Sequence, residues 1–136
     1  MRIKLDPGAI CPTRAHATDA GLDLYARHDQ KILPYSSAVF DTGVHVELPK
    51  GTAGDIVSKS GLNIKQDITS TGLIDEGYSG SIKVKLYNQG PTIQVIKAGQ
   101  KISQLVVRPV LYEPVKVMQE IGAGERGDKG FGSTGK

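Results

Sequence analysis

An all-β fold, a sandwich or jelly roll around a single core, is what this sequence predicts, and three observations predict it. Seventeen glycines, seven prolines and no tryptophan, with 38% hydrophobic residues, suit short strands joined by many turns better than a helical bundle. Runs that alternate apolar and polar residues recur along the chain at the period of a half-buried strand. The 136 residues suffice for one domain and are too few for two.

The elements follow in chain order. Arg2–Leu5, Leu22–Ala26 and Ala38–Phe40 are the first strand-like runs, and Val44-His45-Val46-Glu47-Leu48 alternates strictly up to the break at Pro49-Lys50-Gly51. Gly54–Ser58 is the next strand, and Gly61–Gln66 is the one stretch suited to a short helical turn, with Ser60 near its N-terminal end. Gly72 to Gly80 reads as a tight turn between two strands. Ser81–Tyr87 alternates again, Asn88-Gln89-Gly90-Pro91 punctuates, and Thr92–Ile96, Ile102–Val107 and Val115–Met118 complete the set. Residues 122–136 hold six glycines and one large apolar side chain, too little buried surface to offset their ordering entropy. We therefore expect a β domain over residues 1–121 and a flexible arm over 122–136 that orders when something binds it.

Charge narrows the partners. Of the formal net charge of +3, residues 126–136 carry +2, from three basic residues and one acidic, so the rest of the chain is nearly balanced. That is no surface for coating a nucleic acid, and cations gathered in a mobile arm suit a small anionic ligand. Cys11 is the single cysteine, which leaves no intramolecular disulfide and no thiolate cluster for a structural metal. With no apolar leader and no membrane-spanning run, a soluble cytoplasmic protein is expected.

Four internal stretches combine backbone punctuation with functional side chains. Ala17-Thr18-Asp19-Ala20-Gly21-Leu22-Asp23-Leu24 sets two carboxylates at the start of a strand, and Ser58-Lys59-Ser60-Gly61-Leu62 offers hydroxyls, a cation and a glycine, the makings of a phosphate nest. Gly72-Leu73-Ile74-Asp75-Glu76-Gly77-Tyr78-Ser79-Gly80 holds an acid and a tyrosine beside apolar residues that a plain hairpin does not explain. Ala98-Gly99-Gln100-Lys101-Ile102-Ser103-Gln104-Leu105 leads an amide, Gln104, into an apolar strand. Taken singly, each also reads as an ordinary turn or an interface-facing residue. His16, His28 and His45 lack metal-ligand spacing and read as surface or turn residues. The closing Gly130-Phe131-Gly132-Ser133-Thr134-Gly135 fits a dinucleotide fingerprint in spacing, but no helix is expected to follow it, so only its exposed N–H groups and hydroxyls keep their meaning.

These four stretches and the arm, in this order and at these intervals, resemble the five motifs of the homotrimeric dUTP pyrophosphatases (dUTPases). The resemblance runs from Asp19-Ala20-Gly21-Leu22-Asp23-Leu24-Tyr25-Ala26 to the arm. It implies a jelly-roll-like subunit in a homotrimer with sites between subunits, and Mg2+-assisted hydrolysis of dUTP to dUMP and pyrophosphate, supplying dUMP for thymidylate synthesis and keeping uracil out of DNA. It further implies that Asp75 activates the attacking water and contacts the 3′-OH, and that Tyr78 lies beneath the sugar and excludes a 2′-OH. Uracil would be read by main-chain groups of the Gly72, Leu73, Ile74 and Asp75 turn and of the strand near Lys83. Lys59, Ser60, Gly61 and Gln104 would hold the α- and β-phosphates, with Asp23 and Gln104 anchoring the waters of the Mg2+. Arg126 would pair with the γ-phosphate, Gly132, Ser133 and Thr134 would wrap it, and Phe131 would stack on the base. Lys59 stands where arginine is common, and it lacks a forked contact; Ser79 stands where arginine or glutamine is usual. Two other readings are a dCTP deaminase on the same fold, which would need a different base pocket, and a regulatory protein that uses the nucleotide as a switch.

Overall fold

The computed structural model describes residues 1–132, 134 and 135. Ten strands and one short helix follow in order: β1 (Arg2–Leu5), β2 (Leu22–Tyr25), β3 (Gln30–Ile32), β4 (Ser36–Asp41), β5 (Val44–Glu47), β6 (Thr52–Ser58), α1 (Ser60–Gln66), β7 (Ile68–Ile74), β8 (Lys83–Asn88), β9 (Gln94–Ile96) and β10 (Lys101–Pro109). A six-stranded sheet runs β2-β10-β6-β7-β8-β4, and the pairs β1-β5 and β3-β9 complete the fold. Every pairing is antiparallel. The mostly β fold class expected from the alternating runs is therefore observed.

The long sheet curls at β7. The first half of that strand pairs with β8 through Ile68 to Ser70, and the second half pairs with β6 through Thr71 to Ile74, so one strand changes neighbours midway. Strands that turn in this way let both arms of the sheet face one core, formed by Leu24, Ile32, Ile68, Ile82, Val84, Leu86, Ile96, Ile102 and Leu105 among others. Burying those branched side chains stabilises the fold by roughly 2 kcal/mol apiece.

Inside the curl, a chain of hydroxyls ties β6, β7 and β10 together. The Ser103 hydroxyl donates to the carbonyl of Val57, so its contact with Ser70 Oγ at 2.7 Å has Ser70 as the donor. Ser58 Oγ accepts from the Ser70 N–H and donates to the Ser70 carbonyl. The C-terminal end of β6 is thereby fixed just before Lys59. There α1 begins, and it ends at Asp67, whose left-handed φ of 54° lets its N–H reach back to the Asn63 carbonyl.

Three expectations need correction. Gly72 to Ile74 are strand, not turn: Gly72 faces Ile56 in register, and a Cβ at Gly72 would lie 3.3 Å from the Ile56 side chain, so the glycine serves close packing across the pair. The turn itself is Asp75 to Gly80. Gln30–Ile32 is a strand that the sequence reading passed over, too short to show a period. Val115–Met118, by contrast, pairs with nothing among the described residues, and Val115 and Val117 are more than nine-tenths exposed. The pattern there is strand-like, but after β10 ends at Pro109 no further strand forms among the described residues.

Candidate active site

β2, β10 and β6 lie side by side, and their register brings Asp23 opposite Gln104 and Gln104 opposite Val57. The side chain of Asp23 is 5% exposed, and its two oxygens accept from Lys59 Nζ at 2.6 Å and Lys101 Nζ at 2.7 Å. Burial alone would push the Asp23 carboxyl up, but the hydrogen bonds and charges of Lys101 and Lys59 outweigh it and hold the group below the usual carboxylate range. In return Asp23 raises the Lys101 ammonium. Gln104 donates Nε2–H to the Ser58 carbonyl at 3.1 Å, and its Oε1 lies over Gly21, where any Cβ would overlap it. Gly21 is thus required by a neighbouring side chain.

These residues line an open cleft of about 430 Å³, together with Ala15, Asp19, Val57 and Val106. Lys101 is a cleft residue that sequence reasoning missed. It lies three positions before Gln104, which in a regular strand would send the two side chains to opposite faces. A register shift between Lys101 and Ser103 breaks that alternation and lets both reach Asp23's side of the sheet. Only the spacing of a bulge could have signalled it. Beside the cleft, Lys59 precedes α1 with no side-chain cap, and Ser60 and Gly61 are exposed, with open space where a Gly61 Cβ would stand.

The second group sits elsewhere. Asp75 follows β7 at the end where Ile74 faces Gly54, while the cleft lies by Val57 and Ser58, so about 10 Å of β6 separates them. Neither Asp75 nor Tyr78 lines the cleft. Asp75 is exposed, and Tyr78 is half-exposed with its hydroxyl donating to the Ser81 carbonyl at 3.0 Å; a Cβ on Gly80 would overlap that hydroxyl. Glu76 accepts from the Gly51 N–H and from the Tyr112 hydroxyl, both at 2.9 Å. The Asp75 to Gly80 turn is therefore anchored at its base and packed upon itself. Leu73 is exposed on β7, and Lys83 opens β8 opposite Asp41, also exposed.

The arm forms a third group. Arg126 donates to the carbonyls of Lys129 and Gly130 at 3.0 and 2.8 Å, closing a small turn in which Phe131 is fully exposed and Gly132 adopts a φ of 76°. Thr134 joins Glu125, Arg126 and Lys129 around a shallow pocket. Ser133, named from the sequence, lies outside the described residues. The structure thus brings together Asp23, Lys59 and Gln104, and keeps Asp75 with Tyr78 and the arm as separate clusters.

A family model described as dUTPase matches residues 8–135. The deoxyuridine 5′-triphosphate nucleotidohydrolase of Clostridium acetobutylicum is 42% identical over 135 residues, 97% of this chain and 93% of that one. Among solved structures, the dUTPase of Staphylococcus bacteriophage 80alpha with dUpNHpp superposes with a TM-score of 0.93 at 30% identity, covering 99% of this chain and 98% of that chain. A variant of the dUTPase from phage phi11 of S. aureus, described as revealing the coordination of a structural Mg(II) ion, superposes with a TM-score of 0.80 at 28% identity, covering 88% of this chain and 96% of that one.

Proposed function

Because the chain belongs to the dUTPase family and hydrolyses dUTP to dUMP and pyrophosphate, we propose that its three clusters divide the substrate between them. The Asp23 cleft takes phosphate, the Asp75 turn takes the nucleoside and the attacking water, and the arm closes over both. The observation that carries this division is Asp23, a buried carboxylate held ionised between two ammonium groups beside the Gln104 amide in an open cleft.

The donor chemistry of that cleft fits Mg2+. Asp23 and the Gln104 Oε1 are hard oxygen donors, and Mg2+ keeps several waters that such groups can hold indirectly. Mg2+ bound there would neutralise charge on the triphosphate. Lys59, Ser60, Gly61 and Gln104 present cationic and N–H donors to the α- and β-phosphates, and Lys101 adds a further cation.

At the other cluster, Asp75 orients a water against the α-phosphorus and takes its proton. The new bond is water oxygen to α-phosphorus, the bond to the bridging oxygen of the β-phosphate breaks in line, and pyrophosphate leaves with the electron pair. Tyr78 fills the space below C2′, so a ribose meets the ring rather than losing a contact. Main-chain groups from Gly72, Leu73, Ile74 and Asp75 and from the strand at Lys83 read the uracil edge. Arg126 pairs with the γ-phosphate and Gly132, Ser133 and Thr134 wrap it, with Phe131 over the base.

We further propose a homotrimer in which separate copies complete each site. Its support is the roughly 10 Å of β6 between cleft and turn, and the exposed apolar residues after Pro109, Leu111, Val115, Val117 and Ile121, which have no strand partner in their own chain among the described residues. No helix among the described residues is long and apolar enough to cross a membrane, and a cytoplasmic location fits the single exposed Cys11. The test is pyrophosphate release from dUTP, dCTP, dTTP and UTP, each with and without Mg2+. Release from dUTP alone, raised by Mg2+, is expected; ammonia released from dCTP would put a deaminase in its place.

A further inference from the structure

His45, on β5, lies across from the turn that carries Asp75 and Tyr78. Its Nδ1 is 2.8 Å from the carbonyl oxygen of Ser79, the residue after Tyr78, and its Nε2 is 3.1 Å from Asp6 Oδ1. A carbonyl and an ionised carboxylate only accept, so both contacts are hydrogen bonds only when both ring nitrogens carry hydrogen. When protonated, the ring is a cationic bridge, and just 19% of its side chain is exposed.

Both ends of the bridge are fixed. Asp6 donates its backbone N–H to the Gly43 carbonyl at 2.8 Å, and its Oδ2 lies 3.8 Å from Arg27. On the other side Tyr78 is held by its bond to Ser81 and by the close approach of Gly80. The Ser79 carbonyl belongs to the Ser79–Gly80 peptide, and Gly80 is the residue against which the Tyr78 ring packs.

We propose that His45 is a positioning residue of the reaction: by joining the Ser79 carbonyl to Asp6, it sets the height of the Tyr78 ring beneath the sugar and the aim of Asp75. The proposal rests on the sugar-excluding role given above to Tyr78. The charged groups facing His45 are Asp6, with Arg27 behind it, and Lys4, its partner in register on β1. The Ser79 carbonyl and Asp6 favour the charged ring, Lys4 opposes it, and the balance raises the His45 pKa above its ordinary value. A raised value means the bridge is whole below the ordinary histidine range and is lost as pH rises through the folded-state pKa.

The test compares kcat and KM for dUTP and UTP in the unaltered enzyme, His45→Ala, His45→Gln, Tyr78→Ala and the His45→Ala/Tyr78→Ala double variant, across about pH 6 to 9. His45→Ala is expected to lower kcat for dUTP and to relax the preference for dUTP over UTP by about tenfold, with KM for dUTP changed much less. His45→Gln, which keeps one donor, should fall between, and it carries the comparison if the alanine variant does not fold. The unaltered enzyme should lose sugar preference as pH rises, His45→Gln should show no such slope, and the double variant should discriminate no worse than Tyr78→Ala. If Tyr78→Ala relaxes discrimination while folded His45 variants keep the full preference at every pH, the bridge does not position the turn. If Tyr78→Ala itself leaves discrimination intact, the role of Tyr78 falls, and this proposal falls with it.

Discussion

Asp23 and Asp75 are two carboxylates of one proposed site in opposite surroundings. Asp23 is buried, answered by two lysines and faced by Gln104, whereas Asp75 stands exposed at the tip of a strand with its turn anchored behind it. A carboxylate locked between ammonium groups is suited to holding charge in place, and one free to meet water is suited to moving a proton. The difference teaches that fixed and reacting acids can be told apart by what already occupies their lone pairs.

The sharpest way to break this comparison is at the reacting acid. Asp75→Asn should lower turnover by about 10³-fold, within the range for a lost general base, while dUTP binding and the unfolding midpoint stay near normal. Turnover close to the unaltered level would remove Asp75 from its role. Truncation after Glu125 should cost somewhat less, about 10²-fold in kcat, because in the proposed arrangement the arm orders the triphosphate without touching the reacting bond. Its residues contribute nothing to the core, so circular dichroism should show an unchanged fold.

The fixed acid should respond differently. Asp23→Asn leaves Lys59 and Lys101 facing each other without their counter-charge, and should destabilise the fold by about 2 kcal/mol, less than a fully buried pair would cost. It should also raise the Mg2+ concentration needed for half-maximal activity, a shift that Asp75→Asn does not produce. The Asp23 carboxyl is lowered in the folded state, so its contribution to stability is present above the unfolded carboxylate value of about 3.9 and is lost as pH falls through the folded value. Thermal unfolding of the two proteins should therefore converge as pH drops below about 4 and separate above it. A gap that stays constant across that range would mean that Asp23 is not the ion-paired group described.

Much of this is legible in the sequence. Alternation placed eight of the ten strands within a few residues, because one-sided strands write their burial into a period of two. Gly72 misled, since a glycine that lets Ile56 pack closely looks the same in sequence as one that makes a turn. Lys101 was hidden by a bulge, which shifts the side-chain phase without leaving a residue signature. His45 lacks metal-ligand spacing and so reads as a surface or turn residue, while the partners that hold it, Ser79 and Asp6, are 34 and 39 residues away. Val115–Met118 carries a strand pattern that finds no partner among the described residues, and a pattern names a propensity, not a neighbour.

The central claim is that complete sites are assembled from separate copies, and one measurement tests it most directly. Two nearly inactive proteins are refolded together: one carries Asp75→Asn with its arm intact, the other has a normal Asp75 and ends at Glu125. The 11 residues after Glu125 reach on the order of 35 Å when extended, far enough to leave their own subunit. Mixed trimers, confirmed by native mass measurement, will contain sites with an intact Asp75 from one chain and an arm from another. Activity well above that of either parent is predicted; mixed trimers no more active than the parents would contradict the account, because each arm would then serve only its own Asp75.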